Sequence, residues 1–327
     1  MTYACAPGVR QRSTQASCAL CFLISLISPN HLLGADGEVY RPPRLEDAHV
    51  DLQGVWSLRN ITSLERPPQF KTLVISATEA GVRNAQRVAV LQERLRASEE
   101  FMDTLVVEPI RGKLHSSVIV DPPDGLLPGT ALFHQLRAER RAALLTAFDG
   151  PEQRPTSERC LQQFDSAPPI LLNVVKSMHQ IVQTPSVVVM AAEAMHDTRI
   201  IRMNAQHVPS EISSWLGDSI GSWEGDTLVV ETKYFTQSSR ARASGPNVYF
   251  VSPQTTVVER FTLVADDELH YVFTVDDPMY YTRTWTGENS FRRSSDRIYE
   301  VACHEGNYSL GYALQGAREL EKKKADH

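Results

Sequence analysis

The sequence predicts a mainly β chain: an antiparallel meander closing into a β-barrel, with two covering helices in the N-terminal half. Three observations carry that expectation. From about His179 onward apolar and polar residues alternate with a period of two, the signature of half-buried strands. The connections between those runs are short and hold turn residues, with no helical stretch between them, which favours hairpins over crossovers. Upstream, two stretches show the 3.6-residue spacing of amphipathic helices.

Residues 51–57 (DLQGVWS) form the first strand signal, and their Gly-x-Trp order is similar to the opening strand of lipocalin-type barrels. Ser76 and Glu79 make a capping box, in which each side chain satisfies the other's free backbone N–H. The helix they start is expected to reach about Phe101, with Val82, Ala85, Val88, Leu91 and Leu95 on one face. A second helix is expected over 134–148. Proline-rich stretches at 121–125, 150–155 and 167–169 read as ordered connections, because proline fixes its own φ and removes a donor. Strands are expected at 179–184, 187–193, 198–203, 221–223, 227–232, 257–264, 269–275 and 280–286, and about eight such strands close most simply as a barrel.

Composition bounds the function. The chain has 327 residues and a formal net charge of -6, with both signs scattered, so there is no basic stripe for nucleic acid. Residues 1–35 carry only Arg10 and Arg12 as formal charges and then an apolar run, CALCFLISLIS, too short to span a bilayer. That is the layout of a secretory signal peptide, so residues 36–327 are expected as a single periplasmic or secreted barrel domain with helical N-terminal insertions and no stable membrane insertion. Cys5, Cys18 and Cys21 would leave with the signal, and Cys160 and Cys303 would remain. An isolated pair in an oxidising compartment is most simply a disulfide; two free thiols, or a thiolate at Cys303 beside His304, are the rival readings.

Candidate chemistry concentrates at three places. In MHDTRIIR (195–202), strand geometry puts His196, Thr198 and Ile200 on one face and Asp197, Arg199 and Ile201 on the other. If the strand begins only at Thr198, His196 and Asp197 sit at a hairpin mouth where imidazole and carboxylate converge on a ligand. Asp276 and Asp277 precede Pro278, an arrangement that suits either a paired-carboxylate acid or a turn. Tyr281, Arg283 and Trp285 would share one face of the following strand, offering stacking surface and a cation. The run YEVACHEGNY (299–308) adds His304, Glu305 and Tyr308 beside Cys303. No HExxH or paired-cysteine spacing is present, so no metal or other cofactor is expected, and the Gly-x-Ser-x-Gly, phosphate-loop and GxGxxG patterns are absent.

In order along the chain, DPPDG from Asp121, GPEQRPTSERC ending at Cys160, IVQTP from Ile181, HDTRII from His196, WLGDSIGSWEGDTLVVET from Trp215, FTVDDP from Phe273 and YEVACHEGNY together resemble a widespread family of exported bacterial β-rich proteins of uncharacterised function. The similarity covers roughly residue 51 to the end. It implies a shared fold and supports pairing of Cys160 with Cys303, and it implies no reaction.

The leading expectation is an exported enzyme acting by acid–base chemistry, as a lyase, isomerase, cyclase or hydrolase, on a small, partly apolar organic molecule. His196, Asp197, His304 and Glu305 are its expected catalytic residues. Arg199, Asp277, Tyr281, Arg283, Trp285 and Tyr308 are its expected substrate contacts. The alternative is a non-catalytic carrier or sensor built from the same residues.

Overall fold

The computed structural model describes residues 40–95, 106–162, 166–171, 178–237, 241–244 and 247–325. The expected signal segment 1–35 and the first helix beyond Leu95 lie outside them.

The period-two sequence does build a closed barrel. Its wall runs β1 (Gly54–Ser57), β5 (Met178–Gln183), β6 (Val187–Ala192), β7 (Thr198–Met203), β8 (Asp218–Glu224), β9 (Thr227–Lys233), β12 (Thr256–Ala265), β13 (Glu268–Asp276), β14 (Trp285–Ser294), and β14 returns to β1. Closure pairs Val55 with Ser294 and Trp56 with Arg293. A further strand, β4 (Ile119–Asp121), pairs with the start of β14. Two small hairpins stand apart from the wall: β2 (Val74–Ile75) with β3 (Leu114–His115), and β10 (Ala241–Ser244) with β11 (Asn247–Phe250).

Two departures from a simple meander have physical causes. First, β7 and β8 are parallel, pairing Ile201 with Ser219 and Met203 with Gly221. Parallel neighbours need a crossover in place of a tight turn. Residues 204–217 supply it, pinned by His207, whose Nδ1 lies 2.7 Å from Asp218 and Nε2 3.0 Å from Glu231. Second, the strand expected over 280–286 begins only at Trp285. Asp277 holds the preceding residues in a turn: its carbonyl accepts from Tyr281 N at 2.9 Å and its Oδ1 from Met279 N at 3.0 Å. Tyr281, Arg283 and Trp285 therefore do not share a strand face.

The interior is filled by the inward register. Val257, Glu259, Phe261 and Leu263 alternate with more exposed neighbours on β12, and Leu269, Tyr271, Phe273 and Val275 do so on β13. Phe261 stacks on Tyr271 at 4.9 Å, and Phe273 and Phe291 flank Tyr271 at 5.4 and 5.5 Å. Each such ring stabilises by about 1.5–3 kcal/mol through burial. Gly287 faces Phe273 across the β13–β14 pair, where a Cβ would lie 2.2 Å from the ring. The leader 40–53 seals the end opposite the candidate site: Trp56 Nε1 donates to Leu52 O at 2.9 Å, and Gln183 Nε2 to Val50 O at 3.0 Å.

The capping box holds, with Ser76 N donating to Glu79 Oε2 at 2.8 Å and Glu79 N to Ser76 Oγ at 3.3 Å. The face of α1 (Ala77–Leu95) is rotated from expectation, since Val82 is 57% exposed whereas Ala80 and Arg83 are buried. Polar side chains occupy that face: the Arg83 guanidinium lies 5.9 Å from the Phe70 ring, and Asn84 Oδ1 accepts from Val107 N at 2.9 Å. The second helix, α2 (Ala131–Thr146), starts three residues early because Thr130 Oγ1 caps it, accepting from Phe133 N at 3.2 Å. A third helix, α3 (Ser309–Ala325), follows the tail run and was not expected.

Candidate functional site

One end of the barrel gathers most of the candidate chemistry, where β5, β7, β8, β12 and β14 begin and β6, β9 and β13 finish. The segment 166–171, the β10–β11 hairpin and α2 lie there. Ala167 and Ile170 are fully buried, and Phe133 of α2 packs edge-on to Phe250 at 5.5 Å and lies 5.6 Å from Tyr281.

Beneath segment 166–171 is a buried polar network. Arg199 of β7 and Glu259 of β12 point inward and form a bidentate ion pair, Nη1 to Oε1 at 3.1 Å and Nη2 to Oε2 at 2.6 Å. Tyr271 donates to Glu259 Oε1 at 2.8 Å, and its oxygen accepts the Ile170 amide at 2.9 Å. Burial, and then the Glu259 charge, push the Tyr271 phenol well above its ordinary range, so it stays a donor. Arg242 donates to Pro168 O and Tyr249 to Pro169 O, so this side of the interior reads the backbone of segment 166–171 with side chains.

The rim of the same end holds the His196–Asp197 pair. The strand starts at Thr198, so both residues occupy the hairpin mouth. Met195 and His196 adopt left-handed φ values of 57° and 53° in the turn Ala194–His196, a conformation that costs free energy in non-glycine residues. His196 Nε2 accepts the Val301 amide at 3.0 Å, which requires an unprotonated Nε2 and places the ring proton on Nδ1. Asp197 is half-buried and accepts from Ser166 Oγ at 2.5 Å. Burial raises its carboxyl above the usual range, a shift that the Ser166 hydroxyl and His196 only partly offset. The rim thus pairs a carboxyl biased toward its proton with an imidazole whose Nε2 is engaged by a backbone amide.

The tail run is strapped onto this rim. Cys160 and Cys303 form a disulfide with Cα atoms 5.7 Å apart. Tyr299 N donates to Glu193 Oε1 at 3.1 Å, and Asn307 Nδ2 donates to Glu158 O at 3.2 Å. His304 and Glu305, however, are exposed, and their side chains make no hydrogen bond or ion pair with the described residues. Tyr308 is 69% exposed, its ring 6.2 Å from Tyr312.

The remaining expected contacts are placed elsewhere or fully committed. Asp277 is buried and saturated: Oδ2 accepts from Ser252 N at 2.8 Å and Thr255 Oγ1 at 2.5 Å, and Oδ1 from Ser252 Oγ and Met279 N. Arg283 is exposed and paired with Asp121 at 2.5 Å. Tyr281 is buried and bridges the Phe250 amide and carbonyl. Trp285 is buried at the foot of β14, 5.6 Å from the Phe273 ring, and its Nε1 finds no acceptor among the described residues.

Sequence reading missed Glu259, Tyr271, Ser166 and Arg242. A signal existed for Glu259, a carboxylate at an inward position of VVERFTLV between Val257 and Phe261. For Ser166, in an irregular segment, and Arg242, in the four-residue strand β10, the sequence is too short to carry a periodic signal. Among the described residues no three His, Cys, Asp or Glu side chains converge as a metal-ion site, and no helix is long and apolar enough to cross a membrane. No family model, curated protein or solved structure matches this chain.

Proposed function

We propose that the protein is an exported barrel enzyme that receives a small, partly apolar organic molecule at the end closed by segment 166–171 and transforms it by acid–base chemistry. The observation that carries the reading is the rim cluster of Ser166, Asp197 and His196, directly over a buried Arg199–Glu259–Tyr271 network. A carboxyl pushed toward its protonated form by burial is suited to act as a general acid. In this role Asp197 gives its proton to one atom of the substrate and, as the carboxylate so formed, takes a proton back from another, while His196 Nδ1–H donates a hydrogen bond that holds the substrate beside it. An elimination, isomerisation, cyclisation or hydrolysis would suit the pair. His304 and Glu305 join the chemistry only if their turn swings toward the rim, and Arg283 leaves it, since it is held by Asp121.

Export to the periplasm or beyond fits the disulfide and the N-terminal sequence, and the ordered motifs are the ground for proposing membership of the exported β-rich family. A carrier role is favoured by one observation: Arg199 and Tyr271 already spend their strongest bonds within the protein. The test is to incubate the purified protein with extracts of small organic metabolites and follow each compound by mass spectrometry. Conversion lost in Asp197→Asn and His196→Gln supports the enzyme. Compounds retained by the protein but returned unchanged would make it a carrier.

A further inference from the structure

The geometry points to an organic carboxylate as the ligand class of this barrel, received between Arg199 and Arg242 in place of the carbonyl groups of segment 166–171. The inference rests on the ligand-binding reading above and adds what the interior is built to recognise.

The argument is a balance of donors and acceptors. Arg199 is 3% exposed and spends Nη1 and Nη2 on Glu259, while its Nε, also buried, has no acceptor among the described residues. Trp285, at 0% exposure, likewise has a buried Nε1–H without an acceptor among the described residues. Arg242, 3% exposed, is close enough to Arg199 for the two guanidiniums to repel, and the hydroxyls of Tyr249 and Tyr281 lie near it. Buried donors normally find acceptors, because an unmade bond forfeits the full desolvation cost. The interior is therefore biased toward acceptor-rich, negatively charged matter.

Segment 166–171 supplies some of what is missing. The Pro168 carbonyl accepts from Arg242 and the Pro169 carbonyl from Tyr249 at 3.4 Å, a long bond. Neutral carbonyls are weaker partners for guanidinium than carboxylates, which bind its planar fork with two charge-assisted bonds. No backbone–backbone bond among the described residues ties 167–171 to a strand, whereas the side chains of Tyr271, Arg242 and Tyr249 bond to its backbone. A carboxylate can thus replace those carbonyls without opening the barrel wall, and the aromatic rings of Phe273 and Trp285 suit an apolar or aromatic body attached to it.

The experiment titrates the full chain by calorimetry with benzoate and cinnamate and with their neutral isosteres, benzamide and cinnamamide. Hydrogen exchange at the Ile170 amide is followed in parallel. At least about tenfold tighter binding of the acids, the size of one charge-assisted bond, is expected, with faster Ile170 exchange as its bond to Tyr271 is released. Arg242→Gln should bring the acid-to-amide ratio close to one. If that variant fails to fold, Trp285→Phe, which keeps a ring, should lower acid affinity several-fold. Acids and amides binding equally would overturn the carboxylate assignment while leaving a ligand-binding barrel. Binding by neither series would overturn both.

Discussion

Arg199 and Glu259 face each other across the barrel interior with side-chain exposures of 2% and 0%, joined by two hydrogen bonds and completed by Tyr271. A buried pair of this kind contributes little net stability, because desolvating two ions cancels most of their attraction. Removing one partner is different, since it leaves an uncompensated charge. Glu259→Leu or Arg199→Met alone should cost about 3–5 kcal/mol, while the double change Arg199→Met with Glu259→Leu should cost far less than the sum. Urea unfolding of the four proteins measures the coupling. Additive losses would show that the pair does not act as a unit.

Asp197 gives a pH signature with a defined sign. Its carboxyl is raised by folding, so the native state holds the proton more tightly than the unfolded chain. Such a group costs stability above its folded pKa, and the cost is relieved as pH falls through that value toward the ordinary 3.8. Asp197→Asn should therefore melt above the wild type near neutral pH, with the difference closing as the pH is lowered through that window. Asp218 and Glu231 are held low by His207 and by Arg202 or Lys233 despite burial, so they lose stability on acidification in both proteins and cancel in the comparison. A wild type that gains on the Asn variant as pH rises would reverse the assignment.

The barrel was legible because its strands obey a strict two-residue period, and β7, from Thr198 to Met203, matches expectation at both ends. The rim was legible for the same reason, since Thr198 as first strand residue leaves His196 and Asp197 in the turn. What could not be read was set by side-chain bonds to distant backbone. The Asp276-Asp277-Pro278 turn was legible locally, but the anchoring of Asp277 on Ser252 and Thr255, which extends the turn as far as Arg283, was not. The face of α1 was misjudged because Arg83 and Asn84 find buried partners that hydropathy counts against them. The parallel β7–β8 pair depends on a loop without periodicity, held by His207 between two carboxylates.

Gly287 tests how tightly the interior is filled beneath the candidate site. A Cβ there would come within 2.2 Å of Phe273, whose ring also packs on Tyr271 and Trp285. Gly287→Ala should destabilise by about 1–3 kcal/mol through overpacking. Adding Phe273→Leu should recover part of that loss, a rescue visible in thermal melts. An alanine variant as stable as the wild type would mean that the rings shift freely and that room for a ligand exists without moving segment 166–171.

The Cys160–Cys303 disulfide closes a loop of sequence separation 143, so its removal should be felt globally as well as at the rim. The chain-entropy model assigns a closure of this length about 4–5 kcal/mol, an upper figure because residual structure in the unfolded chain reduces it. The local effect follows from what else holds the tail: one amide bond to His196, one to Glu193, and Asn307 on Glu158. With both cysteines replaced by serine, those few bonds, with Arg318 on the Phe148 and Asp149 carbonyls further along, must carry the strap. Hydrogen exchange at Val301 and Tyr299 should then rise well before the barrel strands are affected, and His196 should lose the contact that fixes its tautomer. Peptide mapping of the unreduced protein checks the premise by recovering the linked Cys160 and Cys303 peptides. Unchanged exchange at Val301 in the double variant would show that the rim holds its shape without the crosslink.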